Sequence, residues 1–425
     1  MTRRASSPWI HTLVAAALGS AHFGCAHPAP PPAERDALGT AFADFVATLE
    51  AVEQSIRESP SFGNAAEQVG GYRHMLRSIS KSLEAEVLQD ADYPYFRILD
   101  FWLREGGDNP DQRYAFVPIR GGEAYRIWGE LGSASRVEFQ IYAGQPWAGT
   151  GRSAGYLAFE DLEMGDDGSF EVYVSTEERE GNWMASPEDA TTIFARHIYD
   201  DWNEADVGDI HIDRLGYEGR RRPQETPAEL AERIGGAAGV FGASARTWPA
   251  FVARRYVAAS EPNSVTPPRD TYALGGVRGR WMSGGHFELG SGEALLLRMP
   301  ATRAKYQAVQ LTDMWFASLE YGNQVSSLNT KQSVLSPDGA YYYVISQEDP
   351  GFANWLDAGA LTRGTFLLRW DGVRGDLPED VFPHARRISL AEVAGAIPGF
   401  VAVGEGERER VRSERRRHLQ HRSHR

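Results

Sequence analysis

One stretch of this chain occurs twice, and that repetition limits the fold more than any other feature. Asp167-Gly168-Ser169-Phe170-Glu171-Val172-Tyr173-Val174-Ser175 recurs as Asp338-Gly339-Ala340-Tyr341-Tyr342-Tyr343-Val344-Ile345-Ser346. The acidic pair Glu177-Glu178 matches Glu348-Asp349. Asn182-Trp183-Met184 then matches Asn354-Trp355-Leu356 with one residue of slippage. An apolar run ending in Arg follows each copy: Ile193-Phe194-Ala195-Arg196 and Phe366-Leu367-Leu368-Arg369. A turn, a run, an acidic pair, an Asn-Trp and a second run in one order imply duplication. Two copies exclude a solenoid or propeller, which need more repeats. Two related β lobes are the reading.

The runs themselves are strand-like. Ala308-Val309-Gln310-Leu311, Tyr341 to Ser346 and Phe366 to Trp370 are short, aromatic or β-branched, and bounded by turns. In Pro337-Asp338-Gly339 the proline sets φ and the glycine accepts φ > 0. The first lobe should hold strands at Tyr114 to Ile119, Ala124 to Gly129, Val137 to Ala143, Phe170 to Ser175, Thr192 to Tyr199 and Ile210 to Leu215. Val137-Glu138-Phe139-Gln140-Ile141-Tyr142 alternates, which predicts one buried face and one wet face.

Helices are expected in four places ahead of the second lobe. Leu38, Phe42, Phe45, Val46 and Leu49 recur at helical spacing, and Val69, Tyr72, Leu76, Ile79, Leu83 and Val87 mark a second stripe between Ala65 and Leu88. His74 beside that stripe reads as a helix-surface histidine. Arg97 to Leu103 reads as a third helical piece. Thr226-Pro227-Ala228-Glu229 is a helix start, with a Thr cap, Pro in the first turn and Glu reaching back. That helical insertion should reach Ala259, with breaks near Gly235-Gly236 and Trp248-Pro249. The expected fold is therefore mainly β (α+β): two jelly-roll-like antiparallel β-sandwich lobes, N-terminal helices, and a helical insertion between the lobes.

The segment from Gly285-His286-Phe287-Glu288-Leu289 through Trp315, Tyr321-Gly322-Asn323, Ser327-Leu328-Asn329, Asp338-Gly339 and Asp349-Pro350-Gly351 to Asn354-Trp355-Leu356 resembles the bacterial domain of unknown function 1214 family. With the first copy included, the resemblance covers roughly residues 93 to 395 and is to the long, two-lobed members. It implies a jelly-roll sandwich. It brings no activity and no catalytic set to carry over.

The organisation expected along the chain is an export signal (1–26), a Pro-rich spacer (27–33), an N-terminal helical region (34–112), a first β lobe (113–223), the insertion (224–262), a second β lobe with a short C-terminal helix (263–398), and a disordered charged tail (399–425). Arg3 and Arg4 precede a short apolar centre, Thr12 to Gly19, and Cys25 follows Gly24. Cys25 is the lipidation candidate, although His22 departs from the usual aliphatic residue of such a site. Cleavage near Ala26 without lipid, or no export, are the alternatives. Export would place the protein in the periplasm or cell envelope, touching membrane only through that lipid. The lone cysteine excludes an intrachain disulfide. A net charge of −14 argues against nucleic-acid binding.

No Gly-x-Ser-x-Gly elbow, His-Glu-x-x-His helix, phosphate loop or dinucleotide fingerprint is present. Two constellations remain. Asp209, His211 and Asp213 alternate with apolar residues, so a strand would place them on one face. His211 and Asp213 have the spacing of two iron ligands in jelly-roll oxygenases, and His286 could supply a third. A polar wet face explains them equally without metal. In the second lobe, His286, Trp315, Tyr321, Asn323, Asn329 and Gln332 combine aromatic faces with amides, which suits a neutral polar ligand such as a sugar or phenol. The alternative is that Trp315 and Tyr321 are core and the amides brace loops. Asn182, Trp183, Asn354 and Trp355 read as structural anchors. Three functions stay open: a binding protein for a small polar or aromatic molecule or a partner, an enzyme on such a molecule (a hydrolase or metal-dependent oxygenase), or a structural envelope protein. The sequence names no cofactor and no oligomeric state.

Overall fold

The computed structural model describes residues 32–423 apart from 100, 146–149, 205 and 273–275. The export signal with Cys25, and most of the spacer, lie outside the described residues. Two helices come first, α1 (Pro32–Arg57) and α2 (Ala65–Leu83), the latter running into a π-helical turn at Glu84–Leu88. The first lobe follows: β1 (Arg97–Leu99), β2 (Gln112–Pro118), β3 (Tyr125–Glu130), β4 (Arg136–Ala143), β5 (Arg152–Leu157), β6 (Ser169–Ser175), β7 (Trp183–Ala185), β8 (Ala190–Ile198) and β9 (Asp209–Arg214). Helix α3 (Pro227–Val252) separates it from the second lobe: β10 (Arg269–Asp270), β11 (Trp281–Glu288), β12 (Glu293–Pro300), β13 (Tyr306–Thr312), β14 (Ser327–Asn329), β15 (Ala340–Ser346), β16 (Trp355–Asp357), β17 (Arg363–Asp371) and β18 (His384–Ser389). Two helices close the chain, α4 (Val393–Ala396) and α5 (Glu405–Ser423).

Each lobe is a sandwich of a five-stranded and a four-stranded sheet. The orders are β1-β2-β8-β4-β5 and β7-β6-β3-β9 in the first lobe, and β10-β11-β17-β13-β14 and β16-β15-β12-β18 in the second. The two lobes share one topology strand for strand. Pairing is antiparallel except between β6 and β7 and between β15 and β16. The inner faces are apolar: Val137, Phe139 and Ile141 meet Ile127, Val172 and Ile212 in one lobe, and Val309, Leu311 and Phe366 meet Leu297, Tyr343 and Leu356 in the other.

The duplication extends to single hydrogen bonds. Trp183 Nε1 donates to Ser175 Oγ at 3.0 Å, and Trp355 Nε1 to Ser346 Oγ at 3.0 Å. Asn182 Nδ2 donates to the Glu163 and Glu171 carbonyls while its Oδ1 accepts from the Glu163 amide. Asn354 repeats this with Val334 and Tyr342. Each Asn thus closes a loop onto the strand before it. Gly168 (φ +82°) and Gly339 (φ +78°) occupy the left-handed region at the same turn.

Four expectations are corrected. Arg97 to Leu103 is not helical; it begins with β1, paired to β2. Helix α3 runs unbroken through Gly235-Gly236 and past Pro249. Pro249 has no N–H to offer the Ala245 carbonyl one turn back. His74 takes that carbonyl instead, its Nε2 donating at 3.0 Å. His74 is therefore buried rather than on the surface, and its ring stacks on Trp315 with centroids 5.9 Å apart. The face α2 buries is polar (Gly71, His74, Ser78, Lys81), while Val69 and Leu76 are exposed. Lastly, the charged tail is ordered as α5. Its Arg415, His418 and Arg422 are buried along the seam between the lobes, and Arg408 is buried against Asp349 and Phe352 of the second lobe. Arg415 donates to the Tyr321 and Ser327 carbonyls and lies 4.3 Å from the Trp202 ring centroid. Arg422 reaches the Pro110 carbonyl at 2.9 Å. Among the described residues no helix is long and apolar enough to cross a membrane.

Burial holds the His74 imidazole down, at about 4. In the unfolded chain it titrates near 6.5. The stability tied to neutral His74 is then complete above pH 6.5 and is lost as pH falls towards 4, because only the unfolded state takes up the proton. His74→Gln keeps an N–H for Ala245 and removes the titration. Urea unfolding at pH 6, 5.5 and 5 should show the parent losing about 1 kcal/mol per pH unit more than this variant. Parallel losses would rule out His74 as the acid-sensitive group.

Candidate functional site

The second-lobe residues do not assemble into a pocket. Trp315 is fully buried and donates from Nε1 to the Glu67 carbonyl of α2 at 2.8 Å. Gly70 and Gly71 allow this approach: a Cβ on either would come within 3 Å of the indole. Trp315 is thus the peg on which the N-terminal helices sit, not an open platform. His286 is buried on β11, with Nδ1 3.1 Å from the Tyr256 carbonyl. The close approach beside it, at Gly285, is made by the chain's own Ser264 carbonyl. Tyr321 is buried near Phe101 and Trp202. Asn329 is fully buried and donates to the Asp200 carbonyl across the lobes, while its Oδ1 accepts from the Lys331 and Gln332 amides. Gln332 Oε1 accepts from the Asn329 amide. Asn323 is exposed and accepts from Arg416 of α5. The amides brace loops, as the alternative reading had it.

The three candidate metal ligands also stay apart. His211 and Asp213 sit on the outer face of the first lobe, and His286 lies in the second lobe under the π-helical turn at Ala253–Val257. Among the described residues no three His, Cys, Asp or Glu side chains gather as a metal site.

Asp209, His211 and Asp213 do share one face of β9, and that face lies in an open groove of about 670 Å³. Strand register builds it. Three cross-strand rows run over β6, β3 and β9: Ser169, Glu130 and Asp209; then Glu171, Trp128 and His211; then Tyr173, Arg126 and Asp213. These residues point outward because their neighbours Ile127, Val172 and Ile212 point into the core. The middle row centres on the half-buried Trp128. The Arg126 guanidinium lies 4.8 Å from its ring centroid, and the His211 ring 5.3 Å. Arg126 also pairs with Glu171. Burial opposes ionisation of Glu171, but hydrogen bonds from Tyr173 and Arg126 outweigh it and hold the carboxyl below the usual range. His211 Nε2 is 3.4 Å from Asp209 Oδ2. The groove therefore offers an aromatic face, fixed ionised acceptors and planar donors.

The matching face of the second lobe shows what this sheet does when it is not left open. There Leu296, Val344 and Ile388 occupy the outer face of β12, β15 and β18, and Val393, Ile397 and Phe400 fold over them. The chain after β18 supplies that cover. After β9 it departs for α3 instead. Trp128 escaped the sequence reading, although one signal was present: in Tyr125-Arg126-Ile127-Trp128 the tryptophan falls on the polar side of the alternation.

The burial of Trp315 sets a test. Trp315→Ala and Trp355→Ala should each cost about 3–5 kcal/mol in denaturant unfolding. Trp183→Ala should cost less, since Trp183 is only half-buried where Trp355 is buried. A Trp315→Ala protein as stable as the parent would remove the peg assignment.

No family model matches the chain, and no curated protein matches it. Among solved structures it is similar to an uncharacterised protein from Burkholderia cenocepacia at 26% identity and a TM-score of 0.77, over 84% of this chain and 99% of the other. A protein from Vibrio parahaemolyticus aligns at 11% identity over 75% of this chain and 98% of its own, with a TM-score of 0.42, too low to bear on the fold.

Proposed function

We propose that this chain is an exported, two-lobed member of the domain of unknown function 1214 family that binds a neutral, polyhydroxylated small molecule of saccharide type. The binding site of this reading is the groove of the first lobe, not the second lobe to which the sequence pointed. The observation that carries it is the open groove of the first lobe, lined by Trp128, Tyr173, Arg126, Glu171, Asp209 and His211; the matching row of the second lobe is Arg298, Tyr342 and His384, without a tryptophan, and the apolar part of that face beside it is covered by the chain. Sugar C–H faces pack on an aromatic ring, and ring hydroxyls bond to carboxylates and planar donors. Non-catalytic binding is favoured over an enzyme, because the oxygenase reading needs His211, Asp213 and His286 together. Export rests on the basic start, the apolar centre and Cys25.

Calorimetric titration with maltotriose, cellotriose and chitotriose tests the binding. At least one should bind the parent, and Trp128→Ala should weaken that by about tenfold or more. Saccharides that fail to bind the parent, or that bind Trp128→Ala unchanged, refute the reading. Export has its own check in cell fractionation. The protein should leave the cytosol, and Cys25→Ser should release it from membranes if Cys25 carries lipid; a cytosolic protein with intact Met1 would end that part.

A further inference from the structure

A second cleft, of about 700 Å³, shares no lining residue with the groove. It opens where α2 ends, between the π-helical turn Glu84–Leu88, the segment 89–97 and the segment 220–222. We propose that it binds an aromatic carboxylate.

The walls are held before any ligand arrives. Arg97 pairs with Glu84 at 2.7 Å and Arg222 with Asp90 at 3.0 Å. Just outside, Asp92 is clamped by Arg120 at 2.6 Å and by Arg214. Tyr93 donates to the Arg221 carbonyl at 3.2 Å and meets the Tyr217 ring edge-on. Phe96 packs against the first-lobe core. Ion pairs and ring contacts thus fix both sides of the opening, which lowers the ordering cost of binding. The π-helical turn widens the end of α2 by one residue and turns Leu88 outward. Such turns recur at functional sites.

Apolar surface is exposed here without cover from the chain: Tyr95 is 82% exposed and Leu88 69%. Exposed aromatic surface in a concave site fits a ring. The charge fits an anion. Glu84 and Asp90 are each taken by an arginine, whereas Arg220 has no carboxylate partner among the described residues and rests 4.5 Å from the Tyr217 ring centroid. A guanidinium takes a carboxylate through two parallel N–H bonds. Gln89 Nε2 donates to the Tyr95 carbonyl at 3.4 Å and ties the segment that carries Tyr95 to the end of α2.

The probe is 4-hydroxyphenylacetate, titrated by calorimetry into the full chain, with 4-hydroxyphenylacetamide and phenylacetate as comparisons. The parent should bind 4-hydroxyphenylacetate and phenylacetate, and the amide should bind about tenfold more weakly than the acid. Arg220→Gln and Tyr95→Ala, both at exposed positions, should weaken binding by about tenfold while melting with the parent. Absence of binding by the parent, equal binding of acid and amide, or full affinity in both variants would each overturn the assignment.

Discussion

Everything else in this molecule depends on burying a polar surface between two lobes. The outward face of each five-stranded sheet carries polar and charged side chains that are buried, Arg136, Glu138 and Gln140 in one and Gln310 and Arg369 in the other. Glu138 of β4 is fully buried; it pairs with Arg136 on its own strand and with Arg280 of the second lobe, which is bound in turn to Asp371. Burial opposes the charge of Asp371, but the Arg280 guanidinium outweighs it and holds the carboxyl below its usual range. Such a cluster is tolerable only when each charge has its partner. Asp111 shows the same logic: its carboxylate accepts from Tyr306 of the second lobe at 2.6 Å and from Trp202 of the first at 2.9 Å. The lobes are joined where Arg280 reaches Glu138 and where Tyr306 reaches Asp111 across the seam.

Helix α5 completes that arrangement. Loops at the seam leave carbonyls at Pro110, Tyr321 and Ser327, and the rings of Trp202 and Tyr199 lie among them. Arginine suits this surface, since it donates several hydrogen bonds and its flat group packs on rings. An apolar helix would leave the carbonyls unsatisfied. This is why a segment with hardly any apolar residues docks, and why its composition looked disordered. Its periodicity was nonetheless readable: Arg408, Arg415, His418, Leu419 and Arg422 fall on one helical stripe, in which arginines take most of the places that leucines usually hold.

The same physics separates what could be read in the sequence from what could not. The lobes were legible because the Asp-Gly turn, the Asn bracket and the Trp-to-Ser bond are local, so duplication preserved them as words in the chain. The Thr226 capping box was legible for the same reason. Burial of polar residues was not. The alternation in Val137 to Tyr142 gave the strand correctly, but Glu138 and Gln140 read as wet and are fully buried, Glu138 against Arg280 of the second lobe. His74 likewise read as surface, because its partner is a carbonyl freed by Pro249, far away in sequence. In the candidate site, Asp209, His211 and Asp213 were found on one face. Their neighbours Trp128 and Tyr173 were not, because the register of β3 and β6 against β9 is a property of the sheet.

Duplication also explains where a site can arise. Two copies of a sandwich carry two outer four-stranded faces, and stability requires neither to be open. In the second copy part of the face became apolar at Leu296, Val344 and Ile388, and the residues after β18 closed over that part, adding Val393 and Ile397 to a small core. That face can no longer change without cost to folding. In the first copy the residues after β9 were recruited into α3, which clamps α1 and α2 against Trp315. Its outer sheet was left with solvent, where Arg126, Trp128 and His211 pack against one another and owe nothing to the core. A face free of packing duties can carry recognition, and the helix that took the covering segment away is what set it free.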